Sequence, residues 1–391
     1  MYTFSGTNPS QIYMDALSTI IKEGKELAPR GKRIKEIRPV MIEFKDPLRR
    51  TTFLKGRTIN PLFQAAEALW ILAGRSDVGF LLDYNKNMGQ FSDDGRYFNA
   101  PYGERLRFWN KSDANKFIYN PIDQLRDVYE KIKADNDTRQ AVAVIYNPLF
   151  DNINNDTKDR PCNLLLTFKL REGKLDLSVY NRSNDLHWGT FGANLCQFST
   201  ILEAMASWLD VEVGSYYQIT DSLHIYLDDY GAKITEDIEK AYGVNLETDQ
   251  APQVEDFSDV LKPNPRMSFT MEELNGFLNE YFSFVDPIVT SDETYVHDGD
   301  SAAPLLEHIK NCPDQYMKMT MYLMVAKQAA DRGMTDTAAT CLMRLPDCEW
   351  KVSALRFFYK SHPQFVGETS RDYNLGENLD ERVMKYIRRE D

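Results

Sequence analysis

The chain has 391 residues, with 46 Lys and Arg against 59 Asp and Glu and a formal net charge of −13, a balance that speaks against a general polyanion binder. Hydrophobic residues at 42% and aromatics at 12% suffice for one large core or two, which excludes disorder along the whole length. Five scattered cysteines, with no Cys-x-x-Cys pair and no His at ligand spacing, argue against a disulfide framework and a structural zinc. The chain opens Met1-Tyr2-Thr3-Phe4-Ser5-Gly6 without a basic segment leading into an apolar one, and no apolar run reaches the roughly 18 residues of a membrane span. A soluble, cytoplasmic protein without membrane contact is expected.

In chain order, the first strong helix signal runs from Pro61 to Gly74, where Leu62, Phe63, Ala66, Leu69, Trp70 and Ala73 recur at three- and four-residue spacing. Glu67 sits inside this pattern, either on a solvated flank or at the edge of a pocket. From Asp77 to Trp109 the chain is irregular, rich in Asp, Asn and Gly, and it passes through Ala100-Pro101-Tyr102-Gly103; such stretches tend to line sites. A helical pattern covers Ile122 to Lys133, and Ala141 to Tyr146 reads as a fully buried strand. Asn163 to Leu170, a turn at Arg171-Glu172-Gly173, and Lys174 to Asn181 read as a hairpin, with Leu175, Leu177 and Val179 alternating against Asp176, Ser178 and Tyr180. A helix over Leu195 to Leu209 and short strands at Val211 to Tyr217 and Ser222 to Tyr226 follow. Strands and helices without regular alternation predict an α+β fold. After Tyr230 the sequence is acidic and broken by Pro252, Pro263 and Pro265, although Thr270-x-x-Glu273 forms a capping box for a helix toward Phe284. Helical spacing returns at Met317, Met321, Met324 and Val325, and at Val352, Leu355, Phe358 and Tyr359. This predicts a catalytic unit over 1–230, then an acidic connector and a helical extension over 231–391 packed on the core.

The chemistry concentrates in two loops. There is no Gly-x-Gly-x-x-Gly opening a helix, no Gly-Lys-[Ser/Thr] loop, no His-Glu-x-x-His and no Gly-x-Ser-x-Gly, so P-loop nucleotide hydrolases, zinc peptidases and serine hydrolases lose weight. Arg160-Pro161-Cys162-Asn163 places a thiol at the mouth of the hairpin, and antiparallel pairing returns Asn181-Arg182-Ser183-Asn184-Asp185 beside it. A cation next to a thiol lowers its pKa and makes it a nucleophile, and Arg182 with Ser183 also suits a phosphate. Taken alone, such a cysteine is more often a small buried hydrophobe.

Together these segments resemble thymidylate synthase and its pyrimidine-nucleotide hydroxymethylase relatives from about Pro29 to Asp229. The resemblance is carried by Ala66-Glu67-Ala68-Leu69-Trp70-Ile71-Leu72-Ala73-Gly74, Tyr102-Gly103, Asp137-Thr138-Arg139, Pro161-Cys162-Asn163, Tyr180-Asn181-Arg182-Ser183-Asn184-Asp185, Gly189, Asn194 and Ser222-Leu223-His224-Ile225-Tyr226. It implies a thymidylate synthase-like α+β fold on a large mixed sheet flanked by helices, and a homodimer with two shared active sites. It implies that Cys162 adds to C6 of dUMP, so that C5 attacks the methylene of 5,10-methylenetetrahydrofolate, the co-substrate, with no metal. Glu67 takes the role of a carboxyl in a partly dry place, and Tyr102 that of a tyrosine near the ring. Arg182, Ser183, Arg139 from the second subunit and Arg30 match phosphate ligands. His224 and Tyr226 match ribose contacts, and Asp185, counted both as catalytic and as cofactor-binding, and Gly189 match the folate side.

Asn194, reached by allowing one inserted residue after Gly189, matches the base-reading amide that suits uracil rather than cytosine. Departures from the family include Gln140 where a second arginine is usual, which either weakens phosphate binding or leaves Lys32 or Arg33 to compensate. The loop Met88 to Ser92 lacks tryptophan, and the chain ends Arg388-Arg389-Glu390-Asp391 rather than in a short apolar tail. A wetter site favours water over hydride and hence 5-hydroxymethyl-dUMP, with dTMP and dihydrofolate the alternative. A non-catalytic nucleotide or RNA binder on the same fold is the competing class, and the net negative charge disfavours nucleic acid.

Overall fold

The computed structural model describes residues 1–109, 121–153, 156–290, 303–362, 365 and 375–389. Strand β1 (Tyr2–Gly6) leads into α1 (Pro9–Glu23), and β2 (Lys25–Leu27), β3 (Ile34–Ile37) and β4 (Val40–Phe44) follow. Helix α2 (Pro61–Leu72) begins where the Asn60 side chain accepts the Phe63 N–H, with Pro61 in the first turn, and all 12 of its residues are buried. The stretch read as irregular contains the short helices α3 (Gly79–Leu82) and α4 (Tyr102–Arg107). Next come α5 (Gln124–Ala134), β5 (Val142–Val144) and α6 (Pro148–Asp151).

The hairpin forms as β6 (Asn163–Arg171) and β7 (Lys174–Asn181), with Glu172 at φ 51° and Gly173 at φ 76°. Two successive left-handed residues give the turn whose twist matches the strands. Then follow β8 (Asn184–Asp185), a π-helix (Leu186–Asn194), α7 (Leu195–Leu209), β9 (Glu212–Thr220) and β10 (Leu223–Tyr226).

The large sheet has the order β1-β4-β9-β7-β6-β5, and a smaller one β2-β3-β10-β8. Both are mixed: β7 lies parallel to β9 and β8 parallel to β10, whereas β6 and β7 are antiparallel. Strand β5 pairs with β6 at the end of the large sheet, and Val142 is 38% exposed. The fully buried strand expected at Ala141 to Tyr146 is thus a short edge strand, because an apolar run alone does not distinguish a central strand from an edge.

Helix α8 (Asp229–Tyr242) begins inside the expected boundary at residue 230 and packs on β10. Its inner face carries Ile234, Ile238 and Tyr242 at four-residue spacing, with Gly231 and Ile238 buried, a helical stripe that the expectation of an acidic connector passed over. The expected capping box opens α9 (Met271–Thr290), where Glu273 accepts the Thr270 N–H at 2.9 Å and Thr270 accepts the Glu273 N–H at 3.3 Å. Helices α10 (Ala303–Asn311), α11 (Gln315–Asp331), α12 (Thr335–Met343), α13 (Glu349–Ser361) and α14 (Glu381–Arg388) complete the extension.

The extension covers the outer side of α2, against which α11 and α13 pack. Met317, Met321 and Met324 are fully buried there. Polar ties reinforce the seam: Arg50 pairs with Glu203 and lies 4.9 Å from the Tyr316 ring centroid, and the Tyr316 hydroxyl is 3.0 Å from Thr200 Oγ1. Among the described residues no helix is long and apolar enough to cross a membrane.

Candidate active site

The β6–β7 register aligns Asn163 with Asn181, and the Arg182 N–H donates to the Cys162 carbonyl at 3.0 Å. The expected return of the polar run is therefore built by the sheet itself. Arg182 Nε donates to the Pro161 carbonyl at 2.9 Å, which holds its terminal nitrogen 3.9 Å from Cys162 Sγ. The thiol is half-buried, and burial pushes its pKa up; Arg182 and then Arg30 oppose the rise, while Asp159 and Asp185 add to it. The net direction corrects the expectation of a lowered pKa: desolvation of the thiolate outweighs the nearby cations.

Tyr102 and Glu67 approach from the helices. The Cys162 N–H donates to the Tyr102 hydroxyl at 3.4 Å. Gly103 makes this approach possible, since a Cβ there would lie 2.8 Å from Ile71 Cα, so glycine lets α4 seat directly on α2. Burial raises the Tyr102 pKa, leaving a neutral hydroxyl. Glu67 is 8% exposed, which excludes the solvated flank. Burial lifts its pKa to about 7, against a smaller opposing hydrogen bond from Gln197. Gln64, one turn earlier, donates to the carbonyls of Phe191 and Gly192 at 3.2 and 2.9 Å and pins α2 to the π-helix.

Asn194 ends that π-helix. One extra residue in a helical turn is what a π-bulge absorbs, so the insertion expected after Gly189 is taken up without a loop. Asn194 joins a file of buried amides: it meets Asn163 at 3.4 Å and Asn184 at 3.2 Å, and Asn184 donates to Gln218 at 3.0 Å. Asn181 donates in turn to Asn163. Gly189 backs this file, because a Cβ on it would stand 2.4 Å from Asn184 Oδ1. Asn163, adjacent in sequence to the thiol, thereby links Cys162 to Asn194.

On the far side, His224 is buried and its ring lies 5.5 Å from that of Tyr226. Burial lowers the His224 pKa, with the Asp185 carboxylate opposing. Asp185 caps the π-helix, accepting the His187 N–H at 3.0 Å and the Trp188 N–H at 3.3 Å. Trp188 is partly exposed and stacks on Phe63 with ring centroids 5.7 Å apart. His187, left without a role in the sequence, is a core residue bonded to Tyr13 and, at 3.3 Å, to Thr235.

The arginines divide. Arg30, at φ 55° in the exposed turn Pro29–Gly31, is close enough to oppose part of the rise that burial imposes on the pKa values of Cys162 and Tyr226. Ser183, half-buried, sits between Arg182 and the amide file. Arg139 is exposed and stands at the opposite end of β6, where Arg171 donates to the carbonyls of Asn136 and Asp137 at 3.3 and 3.2 Å. The length of β6, about 25 Å at ~3.3 Å per residue, keeps it from the thiol of its own chain. Lys32 and Arg33, named as replacements for the arginine absent at Gln140, pair instead with Asp229 at 3.4 Å and with Glu26 at 3.3 Å. Asn163, Asn184, Gln218 and Tyr230 are the neighbours that sequence reasoning missed; the Asn-Arg-Ser-Asn-Asp run was the one available hint.

Residues 11–275 match the family model described as thymidylate synthase. Over its full 391 residues the chain is 78% identical to a deoxyuridylate hydroxymethyltransferase of Bacillus phage SP01, covering 100% of both chains. A deoxyuridylate hydroxymethyltransferase of Pseudomonas phage M6 is 28% identical over 86% of this chain and 88% of its own. A putative thymidylate synthase of Methanosarcina acetivorans is 34% identical over 35% of this chain and 58% of its own. The chain therefore belongs to the thymidylate synthase family.

Proposed function

We propose that this protein transfers a one-carbon unit from 5,10-methylenetetrahydrofolate to C5 of dUMP and releases 5-hydroxymethyl-dUMP. The observation that carries the reading is the placement of Cys162 Sγ 3.9 Å from the Arg182 guanidinium, with the Asn194 amide one residue away through Asn163. A nucleotide whose phosphate engages Arg182, Ser183 and Arg30 presents its base to both the thiol and that amide. Asn194 donates to one carbonyl of uracil and accepts from N3–H. Addition of the thiol sulfur to C6 leaves electron density at C5. Bound methylenetetrahydrofolate supplies the one-carbon unit. Glu67, protonated near neutral pH, serves the proton transfers, and Tyr102 stands beside the ring.

Loss of the C5 proton expels tetrahydrofolate and leaves an exocyclic methylene on a ring still bound to Cys162; water then adds to that methylene as the thiolate leaves C6, which restores the C5–C6 double bond and gives the hydroxymethyl group. One feature favours water: Met88 to Ser92 overlaps a short 3₁₀ turn (Lys86–Phe91) and contains no tryptophan to exclude it. The name of the full-length relative supports the same product.

A homodimer in which Arg139 serves the partner's phosphate site accords with its distance from its own thiol, and a cytoplasmic setting suits these substrates. Residues 1–230 then act as the catalytic unit, and the remainder as its support. Incubation with dUMP and methylenetetrahydrofolate followed by mass analysis tests the reading: the nucleotide should gain CH2O with tetrahydrofolate released. A gain of CH2 with dihydrofolate formed would establish reductive methylation instead. Turnover by Cys162→Ser at the parent rate would reject the covalent route altogether.

A further inference from the structure

We infer that Tyr230 is a positioning residue for the co-substrate side of the site, acting by donating its hydroxyl proton to the Asp185 carboxylate. This rests on the functional reading above. The Tyr230 hydroxyl bonds Asp185 Oδ2 directly. Nothing in the sequence motifs marks this tyrosine, which lies beyond the Ser222-Leu223-His224-Ile225-Tyr226 segment.

Two backbone features aim it. Asp229, immediately before, sits at φ 57°, a left-handed conformation that non-glycine residues adopt sparingly. Gly231, immediately after, has room for no side chain: a Cβ would stand 2.5 Å from the Tyr226 carbonyl oxygen, so α8 presses directly on β10. A strained residue and a close-packed glycine thus flank one side chain and turn it over the cleft, where its ring lies 5.8 Å from that of Tyr226 and remains 45% exposed.

The consequence follows from counting acceptors. A carboxylate offers about four lone-pair positions. On Asp185, one on Oδ1 takes the His187 N–H, and two on Oδ2 take the Trp188 N–H and the Tyr230 O–H. Oδ2 is saturated, and the position left over is on Oδ1. The two backbone N–H groups hold the carboxylate, and Tyr230 fills the second position on Oδ2, so that a single acceptor is left for a ligand N–H donor, which a reduced pterin ring provides. Without Tyr230 both oxygens have a free position, and the carboxylate no longer presents one defined acceptor.

Tyr230→Phe keeps the ring and removes the hydroxyl. The expected result is a KM for methylenetetrahydrofolate raised roughly tenfold, with kcat and the KM for dUMP within about twofold of the parent. Asp185→Asn alone should be worse, and adding Tyr230→Phe to it should cost little more, because Tyr230 acts through Asp185. Tetrahydrofolate binding, followed by tryptophan fluorescence without turnover, should weaken by the same factor in Tyr230→Phe, and thermal melts should match the parent's. A parent that binds and turns over, with a Tyr230→Phe variant equal to it in both readouts, would overturn the positioning role alone. So would a penalty from Tyr230→Phe that persists in full on the Asp185→Asn background. A parent that neither binds tetrahydrofolate nor turns over would overturn the functional reading, and the role of Tyr230 with it.

Discussion

Glu67 shows how one buried carboxyl ties stability to catalysis. Its pKa stands at about 7 in the folded chain against an ordinary 4.5, because burial penalises the charged form. Below 4.5 the folded and unfolded chains both carry the proton and the group has no effect on stability. Between 4.5 and 7 the folded chain keeps the proton while the unfolded chain releases it, so stability falls as pH rises, at ~1.4 kcal/mol per unit. Above 7 the loss levels off at about 3 kcal/mol. Glu67→Gln removes the titration, so urea unfolding should find the variant matching the parent at low pH and exceeding it by about 3 kcal/mol at high pH. Parallel stability curves for the two proteins across this range would refute the assignment. In the proposed reaction the proton that burial retains is the one Glu67 donates, and parent turnover should then decline on the alkaline side of the same range.

At the scale of elements, the π-helix determines where Asn194 points, and Gly189 determines whether its neighbours can stay. Alanine at 189 would place a methyl 2.4 Å from Asn184 Oδ1, and Asn184 cannot retreat without releasing both Asn194 and Gln218. Gly189→Ala should therefore raise the KM for dUMP at least tenfold and lower unfolding free energy by about 1–3 kcal/mol. An unchanged KM would show that the amide file does not read the base.

This file also marks the limit of what the sequence could disclose. Helix α7 at Leu195–Leu209 was legible because its apolar stripe runs without interruption, and the β6–β7 hairpin because strict alternation brackets a Glu-Gly turn. Cys162 beside Arg182 was legible because hairpin pairing is local. Asn163, Asn184 and Gln218 lie on three different strands, β6, β8 and β9. Their meeting depends on sheet order, which no local pattern encodes. Tyr230 was hidden for a related reason: its reach to Asp185 follows from how α8 packs on β10, which the spacing along α8 does not encode.

For the whole molecule, the extension matters as a buttress of α2, the helix that carries Glu67. The Arg50–Glu203 pair at this seam is buried, at 1% and 2% exposure, and Glu203 also accepts the Met267 N–H at 2.9 Å. Glu203→Gln would leave the Arg50 charge without its carboxylate and should cost about 3–5 kcal/mol, read from denaturant unfolding.

The placement of Arg139 makes a sharper demand on quaternary structure. If each site takes Cys162 from one chain and Arg139 from its partner, Cys162→Ser and Arg139→Ala should each be impaired alone yet complement when mixed. Pairing one chain of each kind concentrates both defects in one site and leaves the other with an intact cysteine and an intact arginine. Random reassortment makes about half the dimers mixed, so about a quarter of the sites should recover. Refolding the two variants together and assaying turnover reads this directly. Activity no higher than the average of the separately refolded variants would mean that Arg139 serves no neighbouring site, and the phosphate would then depend on Arg182, Ser183 and Arg30 of a single chain.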